Sequence, residues 1–222
     1  MCDVRDQASV DRAVAVAIDS LGGLDVLINC AGIGDAQSAG DRPDAGALEA
    51  VDVNLFGAWR VTAAALPALR SARGRVVNVA SGLAFVTLPF SAAYCASKRA
   101  LVAYSDALRL EHGDAITVTT VYPGYIRTAI HQRPAAKGVS LEGAAPAEPL
   151  GSAVATLVRA ALGPPVRDLA TTRRGAIGYT LLRWAPRGFV DRALLRRLRR
   201  AARRGAFDPD GLAGSMAARY RV

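Results

Sequence analysis

The hydrophobic and polar positions of this chain follow two alternating periods. Residues 9–21 place apolar side chains at the spacing of one helix face, and two glycines end that pattern. Residues 24–30 form a short apolar run with β-branched members, which predicts a strand. The two patterns then repeat, with helices predicted at 44–69, 91–112 and 147–162 and strands predicted at 74–80, 115–122 and, weakly, 166–172.

A predicted helix separates each predicted strand from the next. Such βαβ units imply a parallel sheet with helices on both faces, so we expect a doubly wound α/β fold. The 222 residues are enough for one substantial core. We place this α/β domain at residues 1–175 and assign residues 176–222 to a basic, amphipathic, helical tail.

The formal net charge of +9 is concentrated near the C-terminus. Residues 183–204 contain nine arginines and one acid, Asp191, so the rest of the chain is nearly neutral. The three cysteines are scattered, and neither a signal peptide nor an uncharged apolar stretch of membrane-spanning length is present. These features predict a cytoplasmic protein with reduced thiols. No Cys/His spacing resembles a metal site.

Tyr94 and Lys98 are one helical turn apart, and Ser81 precedes Tyr94 by thirteen residues. Positions i and i+4 share a helix face, so we expect the ammonium beneath the phenol. A unit charge at about 4 Å in a partly screened site contributes ~4 kcal/mol, enough to lower a tyrosine pKa from ~10 toward neutrality. Tyr94 could then act as an acid or base. Ser81, at the end of a parallel strand, could hold a substrate oxygen.

A tyrosine and a lysine at this spacing are common on protein surfaces, but their context here is informative. Residues 81–82, Pro89 and residues 94–100 together resemble the active-site segment of short-chain dehydrogenases/reductases. The resemblance covers residues 3–128, over half the chain. It implies a Rossmann-like fold, NAD or NADP as cofactor, and hydride transfer between an alcohol and a carbonyl.

The resemblance also implies roles for individual residues. Tyr94 would be the catalytic acid/base, and Lys98 would lower its pKa and bind the nicotinamide ribose. Ser81 would orient the substrate oxygen, and Asn54 would hold a water in a proton relay. Cofactor contacts are implied for Asp3 and Val4 at the adenine and for eight further residues: Asn29, Ala31, Gly32, Tyr94, Lys98, Pro123, Gly124 and Thr128.

One part of the family's pattern is absent from the sequence. The family's first strand ends in a glycine-rich turn that holds the pyrophosphate at a helix N-terminus. No such turn precedes Asn29, and the glycines at 32 and 34 follow a later strand. We therefore expect an N-terminally truncated fold that lacks the first two strand–helix units, and weak or no binding of the cofactor by this chain.

The basic tail permits three interpretations. Val190, Leu194 and Leu198 share one helix face, so residues 178–204 could pack on the domain and leave a solvated basic side. The same residues could instead lie on a membrane surface and meet anionic headgroups. Nucleic-acid binding is not expected, because neither an aromatic platform nor a known reading motif accompanies the arginines.

The leading hypothesis is an NAD(P)-dependent oxidoreductase that interconverts an alcohol and a carbonyl on a small substrate. The apolar tail and a long Ala/Pro/Gly-rich loop favour a lipophilic one. One alternative is a non-catalytic truncated remnant that binds no cofactor. Another is a membrane-surface or interaction protein that acts through its Arg-rich tail. The resemblance further implies a homo-oligomer, formed by the helices around Asn54 and Tyr94.

Overall fold

Parallel strands form a single sheet in the part of the chain that the structure describes. The structure is a computed structural model and describes residues 1–139, 146–204, 210–214 and 218. Neighbours in the sheet are neighbours in sequence, and all pairs are parallel, which confirms the predicted α/β sheet. The strands in this part of the chain are β1 (Val26–Asn29), β2 (Arg75–Val79), β3 (Thr117–Tyr122) and β4 (Asp168–Ala170).

Helices connect and flank these strands. The first begins at Asp6, whose carboxylate accepts hydrogen bonds from the N–H groups of Ala8 and Ser9, and it ends at Gly22 in the left-handed conformation, with φ of 72°. The described helices are α1 (Gln7–Leu21), α2 (Ala45–Val51), α3 (Ala58–Ser71), α4 (Ala92–His112), α5 (Gln132–Ala136), α6 (Leu150–Leu162), α7 (Arg173–Trp184) and α8 (Arg187–Arg203).

Different helices cover the two faces of the sheet. Val76 and Val77 of β2 are both fully buried and point to opposite faces, because side chains alternate along a strand. Val76 packs with Leu69 of α3 and Leu108 of α4, whereas Val77 packs with Ala160 of α6. This arrangement confirms the doubly wound fold expected from the sequence.

The helix predicted at 44–69 is interrupted in the structure. A π-helical turn, Asp52–Gly57, separates α2 from α3. Such turns are rare and occur often at functional sites. Pro67 lies inside α3, which continues to Ser71. The apolar spacing of the sequence is compatible with both helix types and therefore does not reveal the wider turn.

The tail contains two helices in the described ranges. Ala185 and Pro186 separate α7 from α8, since proline lacks the N–H that would continue a helix. The boundary that we placed at residue 175 falls inside α7. The tail residues 205–209, 215–217 and 219–222 lie outside the described part of the chain. Among the described helices, none combines the length and the apolar character needed to cross a membrane.

Buried side-chain hydrogen bonds tie β1 and β2 to the helices that cover them. Asn29 and Asn78 are register partners, and Asn29 Nδ2 donates to Asn78 Oδ1 at 2.8 Å. The same nitrogen donates to Thr62 Oγ1 of α3 at 2.9 Å, and Asn78 Nδ2 donates to Ser105 Oγ of α4 at 2.8 Å. All four side chains are buried, so these bonds satisfy polar groups that water does not reach.

We expect Leu69→Ala to lower the free energy of unfolding by about 2–5 kcal/mol, because it removes buried methyl groups and leaves a cavity. Leu69 is fully buried, whereas Leu110, a leucine on α4, is 87% exposed. The matched substitution Leu110→Ala should change stability by less than about 0.5 kcal/mol. Urea denaturation followed by circular dichroism measures both values, and equal effects would contradict the assignment of the core.

Candidate active site

The loops after β1, β2 and β3 leave the sheet at one edge, because parallel strands present their carboxyl ends together. These loops contain Gly32, Ser81 and Pro123, respectively. The Gly82 N–H donates to the Pro123 carbonyl oxygen at 2.9 Å and holds the second and third loops together. Segments that are distant in sequence therefore meet at the edge where the sequence predicted a site.

Tyr94 lies in the first turn of α4, and its phenol lies near the Ser81 side chain. Burial raises the pKa of Tyr94 above its ordinary value, and the nearby Ser81 hydroxyl acts in the opposite direction. The Ser81 hydroxyl oxygen also accepts a hydrogen bond from the Leu83 N–H at 3.1 Å, which orients it. Tyr94 is therefore a protonated phenol at neutral pH, held beside a hydroxyl group.

Lys98 is buried one turn further along α4. Its Nζ donates to the Val79 carbonyl oxygen at 2.8 Å and lies 5.9 Å from the centre of the Tyr94 ring. Only 4% of the residue is exposed, and this loss of water lowers the pKa of Lys98 to about 8. An ammonium group has three N–H donors, and the Val79 carbonyl accepts from one of them.

The predicted electrostatic effect of Lys98 on Tyr94 is absent from this geometry. The sequence argument placed a charge close to the phenol, but the ammonium binds the Val79 carbonyl instead. Burial favours the neutral forms of both groups, so the pKa of Tyr94 rises and that of Lys98 falls. The prediction of a lowered Tyr94 pKa is wrong for this structure, although the two side chains are neighbours, as their spacing indicates.

Asn54 connects the π-helical turn to the loop after β1. Its Nδ2 donates to the Ile33 carbonyl and to Ser97 Oγ, both at 3.0 Å, and its Oδ1 accepts from the Ile33 N–H at 2.9 Å. A Cβ atom added to Gly32 would lie 3.2 Å from Asn54 Oδ1 and 3.4 Å from Lys98 Nζ, so a glycine allows this approach. Asn54 thus positions the loop that faces Lys98.

Glu148 closes the loop after β3. The Gly124 N–H donates to Glu148 Oε2 at 3.0 Å, and Thr172 Oγ1 donates to Oε1 at 2.6 Å. The Thr171 hydroxyl also donates to this carboxylate. Thr172 is at the same time the N-cap of α7, where it accepts from the Gly175 N–H. The carboxylate therefore joins the loop after β3, which contains the predicted cofactor contacts Pro123 and Gly124, to the start of α7.

Of the two residues predicted to contact adenine, one adjoins the π-helical turn. Val4 packs against Gly57, and its carbonyl oxygen accepts from Arg60 at 3.2 Å. Asp3 is exposed, and its hydrogen bond from Arg5 lowers the pKa of Asp3 to about 2. Val4 thus lies against the turn that carries Asn54.

The remaining predicted residues differ in their surroundings. Asn29 lies beneath the site in the buried network described above. Ala31 is exposed in the loop after β1. Thr128 is exposed before a short turn, Ala129–His131, and its carbonyl oxygen accepts from the His131 N–H at 3.3 Å. Direct contacts therefore bring together one part of the predicted set: Gly32, Asn54, Ser81, Tyr94 and Lys98.

Sequence reasoning missed three residues at the site. Ser97 accepts from Asn54 and donates to the Tyr94 carbonyl oxygen at 2.8 Å. Asn78 is a polar residue inside an apolar strand, where a buried amide needs a hydrogen-bond partner. This pattern is a sequence signal from which Asn78 could have been identified. Glu148 gives no comparable signal, because its partners lie more than twenty residues away on both sides.

The entry into α4 is fixed by an unusual backbone conformation. Phe90 has a positive φ of 62°, which a non-glycine residue rarely adopts. Its carbonyl oxygen accepts from the Gln37 N–H at 2.9 Å, so the strained residue is tied to the loop after β1. Cys95, next to Tyr94, is buried, and burial raises the pKa of its thiol. Cys95 therefore belongs to the core.

A separate groove of about 420 Å³ lies between α3 and α4. Its lining is mainly apolar and includes Leu55, Leu66 and the stacked pair of Trp59 and Tyr104, whose ring centres are 4.8 Å apart. Trp59 is half-exposed. None of the four predicted catalytic side chains lines this groove.

Comparison with protein families matches residues 1–137 to the short chain dehydrogenases. The match covers more than half of the chain. The chain belongs to the short-chain dehydrogenase family. This confirms the resemblance drawn from the motifs around Tyr94. Members of the family use NAD or NADP, which agrees with the cofactor expected from the sequence.

Curated relatives are similar over the same region. The 11-beta-hydroxysteroid dehydrogenase-like 6 of Arabidopsis thaliana is 35% identical over 127 residues, which are 57% of this chain and 37% of that protein. The oxidoreductase UcpA of Salmonella typhimurium is 37% identical over 129 residues, which are 57% of this chain and 49% of that protein. The chain spans about half the length of the curated relatives that it matches, or less.

Solved structures share the fold over a larger part of the chain. A short chain dehydrogenase from Burkholderia cenocepacia in complex with NADP has a TM-score of 0.73 and 28% identity, and the alignment covers 87% of this chain and 76% of that chain. A short-chain dehydrogenase from Streptomyces avermitilis has a TM-score of 0.67 and 25% identity, with 90% and 78% covered. These similarities confirm the Rossmann-like parallel sheet.

The residues present fit the nicotinamide ribose end of a dinucleotide in two respects. The Lys98 ammonium has donors beyond the one bound to Val79, and Gly32 places no side chain between Lys98 and Asn54. At Gly124 the fit is poorer, because its N–H already donates to Glu148. A cofactor contact with that N–H requires the carboxylate to move.

We expect Lys98→Met to raise the free energy of unfolding. The pKa of Lys98 is about 8 in the folded chain against the ordinary 10.5, so between these values the unfolded chain binds more protons. The stability of the wild type should therefore rise with pH through that window. Below pH 8, removing this buried charge should raise the free energy of unfolding by about 3 kcal/mol at most. The loss of the hydrogen bond to the Val79 carbonyl reduces this gain.

Urea denaturation at a series of pH values measures this effect, and Lys137→Met is the matched control. Lys137 is the chain's other lysine, and its ion pair with Asp35 at 2.8 Å raises its pKa. The control should gain no stability and should keep the rise with pH seen in the wild type. A Lys98→Met variant that unfolds more easily at every pH would contradict the burial argument.

Proposed function

We propose that the protein is an NAD(P)-dependent oxidoreductase that interconverts an alcohol and a carbonyl on a small, lipophilic substrate. The grouping of half-buried Tyr94 with buried Ser81 and Lys98 at the carboxyl ends of the strands supports this most. Membership of the short-chain dehydrogenase family adds to it. The relatives named above include a hydroxysteroid dehydrogenase-like protein, in keeping with a lipophilic alcohol or ketone.

Tyr94 is the proton donor in the direction of reduction. Burial raises its pKa, so the phenol is protonated at neutral pH and can give a proton to a carbonyl oxygen as negative charge develops there. The Ser81 hydroxyl, which lies near the phenol, holds the same substrate oxygen in place. In the direction of oxidation, at a pH high enough to ionise the phenol, Tyr94 takes the proton of the alcohol.

Lys98 binds a ribose hydroxyl of the dinucleotide through the ammonium donors that the Val79 carbonyl leaves available. With a pKa of about 8 it is mainly an ammonium at neutral pH. Asn54 positions the Gly32 loop through its bonds to Ile33 and Ser97, in addition to the proton-relay role expected of it. NAD or NADP, when bound, supplies or accepts the hydride.

We also propose two contacts with other molecules. Two copies of the chain associate through the groove between α3 and α4, where Trp59 and other apolar side chains are accessible. Sedimentation of the purified chain and of a Trp59→Ser variant tests this association. Peripheral membrane contact through residues 178–204 is a separate proposal, since none of those residues belongs to the catalytic group.

The rival function is a protein that binds no dinucleotide. The bond between the Gly124 N–H and Glu148 favours it, because this bond occupies a predicted cofactor contact. Isothermal titration calorimetry of the chain with NAD and with NADP separates the two functions. Saturable heat supports the oxidoreductase, and its absence with both dinucleotides supports the rival.

We expect Tyr94→Phe to lower kcat by about 10²- to 10⁴-fold in an active form of the protein, because the proton donor alone is removed. The affinity for NAD or NADP should be nearly unchanged. Absorbance of the reduced cofactor, followed with a panel of lipophilic ketones and alcohols, measures kcat, and calorimetry measures the affinity.

The matched control is Tyr104→Phe. Tyr104 is also a tyrosine of α4 whose pKa burial raises, and its ring stacks on Trp59 away from the site. This variant should keep its turnover and lose some stability. If Tyr94→Phe retained most of the activity, Tyr94 would not be the acid/base.

A further inference from the structure

The inner face of α7 fixes the tail to the domain. Tyr179 stacks on Tyr122 with ring centres 4.7 Å apart and meets Phe85 edge-on at the same distance. Arg183, one turn further, donates to the Tyr179 hydroxyl at 2.7 Å and to Asp168 at 3.4 Å. These contacts orient α7 and determine which of its sides faces outward.

The inner face of α8 uses the apolar stripe that the sequence singled out. Val190 and Ala202 are buried, and Leu194 and Leu198 are half-buried. Arg187 at the start of the helix donates to the Phe85 carbonyl oxygen at 2.6 Å. This stripe therefore packs inward, in agreement with the first of the three interpretations of the tail, and is not available to a lipid surface.

A different apolar row remains outside. Ile177, Leu181 and Trp184 are four and three residues apart on α7, which places them on one face, and they are 64%, 65% and 80% exposed. Phe189, just after the break between the helices, is 68% exposed. Single exposed apolar residues are ordinary, but here three share one helix face, and an exposed phenylalanine follows five residues after the tryptophan. Such side chains suit the boundary between headgroups and acyl chains.

Exposed arginines accompany this row. Residues 173–204 contain eleven arginines and one acid, Asp191. Arg192, Arg196 and Arg200 are exposed and four residues apart, on the side of α8 opposite the packed stripe. Phe189 lies on the same side by helical spacing. The outer surface of the tail is therefore apolar and strongly cationic at once.

We propose that α7 and α8 form a docking element for anionic membranes. Ile177, Leu181, Trp184 and Phe189 enter the lipid interface, and the outer arginines meet the phosphates. A second copy of this chain fits the surface less well, because its own tail would bring arginines against arginines. The contact is peripheral, because it is made by the outer side chains of α7 and α8.

The tail is anchored on the loop that carries Ser81. Phe85, which contacts both Tyr179 and Arg187, directly follows the short turn Gly82–Ala84 that Ser81 caps. Docking therefore brings the candidate site to the lipid surface and favours a substrate that resides in the membrane. This consequence for the substrate rests on the proposed oxidoreduction, whereas the docking itself does not.

Flotation of the full chain with vesicles tests the proposal without any assay of activity. We expect the chain to float with vesicles of phosphatidylcholine and phosphatidylserine and to remain unbound with phosphatidylcholine alone. Binding should weaken as salt is added, since exposed charges are screened within about 10 Å at 0.1 M. In a Trp59→Phe background Trp184 is the remaining tryptophan, and its emission should shift to shorter wavelength on binding.

A charge variant tests the arginines. Arg196→Gln with Arg200→Gln should lower the vesicle partition coefficient roughly 30-fold, at about five-fold for each basic residue near an anionic surface. The control, Arg12→Gln with Arg73→Gln, removes the same charge from exposed positions outside the tail. It should leave the partition coefficient nearly unchanged.

An apolar variant tests the inserted row. Leu181→Ser should lower the partition coefficient about ten-fold, because a leucine side chain no longer leaves water on binding. Leu110→Ser is the matched control, an exposed leucine on α4 that should have no effect. Circular dichroism and gel filtration verify that each variant retains the fold of the wild type.

Four outcomes would overturn the proposal. The first is equal binding to neutral and anionic vesicles, and the second is an equal loss of binding in the control variants. The third is the absence of flotation by a chain that circular dichroism shows to be folded. If sedimentation revealed a dimer that Leu181→Ser dissociates, the row would join two copies of the chain, and the membrane would not be its partner.

Discussion

Asn29 and Asn78 join β1 to β2 by an amide hydrogen bond at paired positions, and Thr62 and Ser105 extend that bond to α3 and α4. A slip of one residue in this pairing would send the amides to opposite faces and leave buried donors unpaired, at about 1–3 kcal/mol for each group. Apolar packing alone tolerates such a slip more readily. The polar bond therefore sets the register of the two strands whose ends carry the loops of the candidate site.

The candidate site lowers the free energy of unfolding of the domain, because it places ionisable groups away from water. Folding moves Tyr94 and Lys98 away from water, and the shifts of both pKa values record the cost of charging them there. Tertiary packing around the sheet offsets this cost. Catalytic sites commonly contain ionisable side chains that a stable fold holds in a buried, unfavourable environment.

Strand positions and neighbours along a helix could be predicted from the sequence. Contacts between residues that are distant in sequence could not. The strands expected at 24–30, 74–80 and 115–122 agree with the structure to within two residues at each end, because buried parallel strands are continuous apolar runs. That Tyr94 and Lys98 lie next to each other follows from helical spacing. Their pKa shifts do not, since these depend on burial and on the Val79 carbonyl that captures the ammonium. The contact of Glu148 with Gly124 likewise has no local signature.

The distribution of lysine has a practical consequence for observing the site in motion. The chain contains two lysines, and its basic tail consists of arginine, which amine-directed reagents leave untouched. Lys137 is accessible, so it and the N-terminal amine react first with such a reagent. Lys98 becomes reactive only when α4 separates from β2 and exposes it. The rate at which the reagent labels Lys98 therefore reports how often the candidate site opens. Mass spectrometry can measure this rate in the wild-type chain, without any substitution.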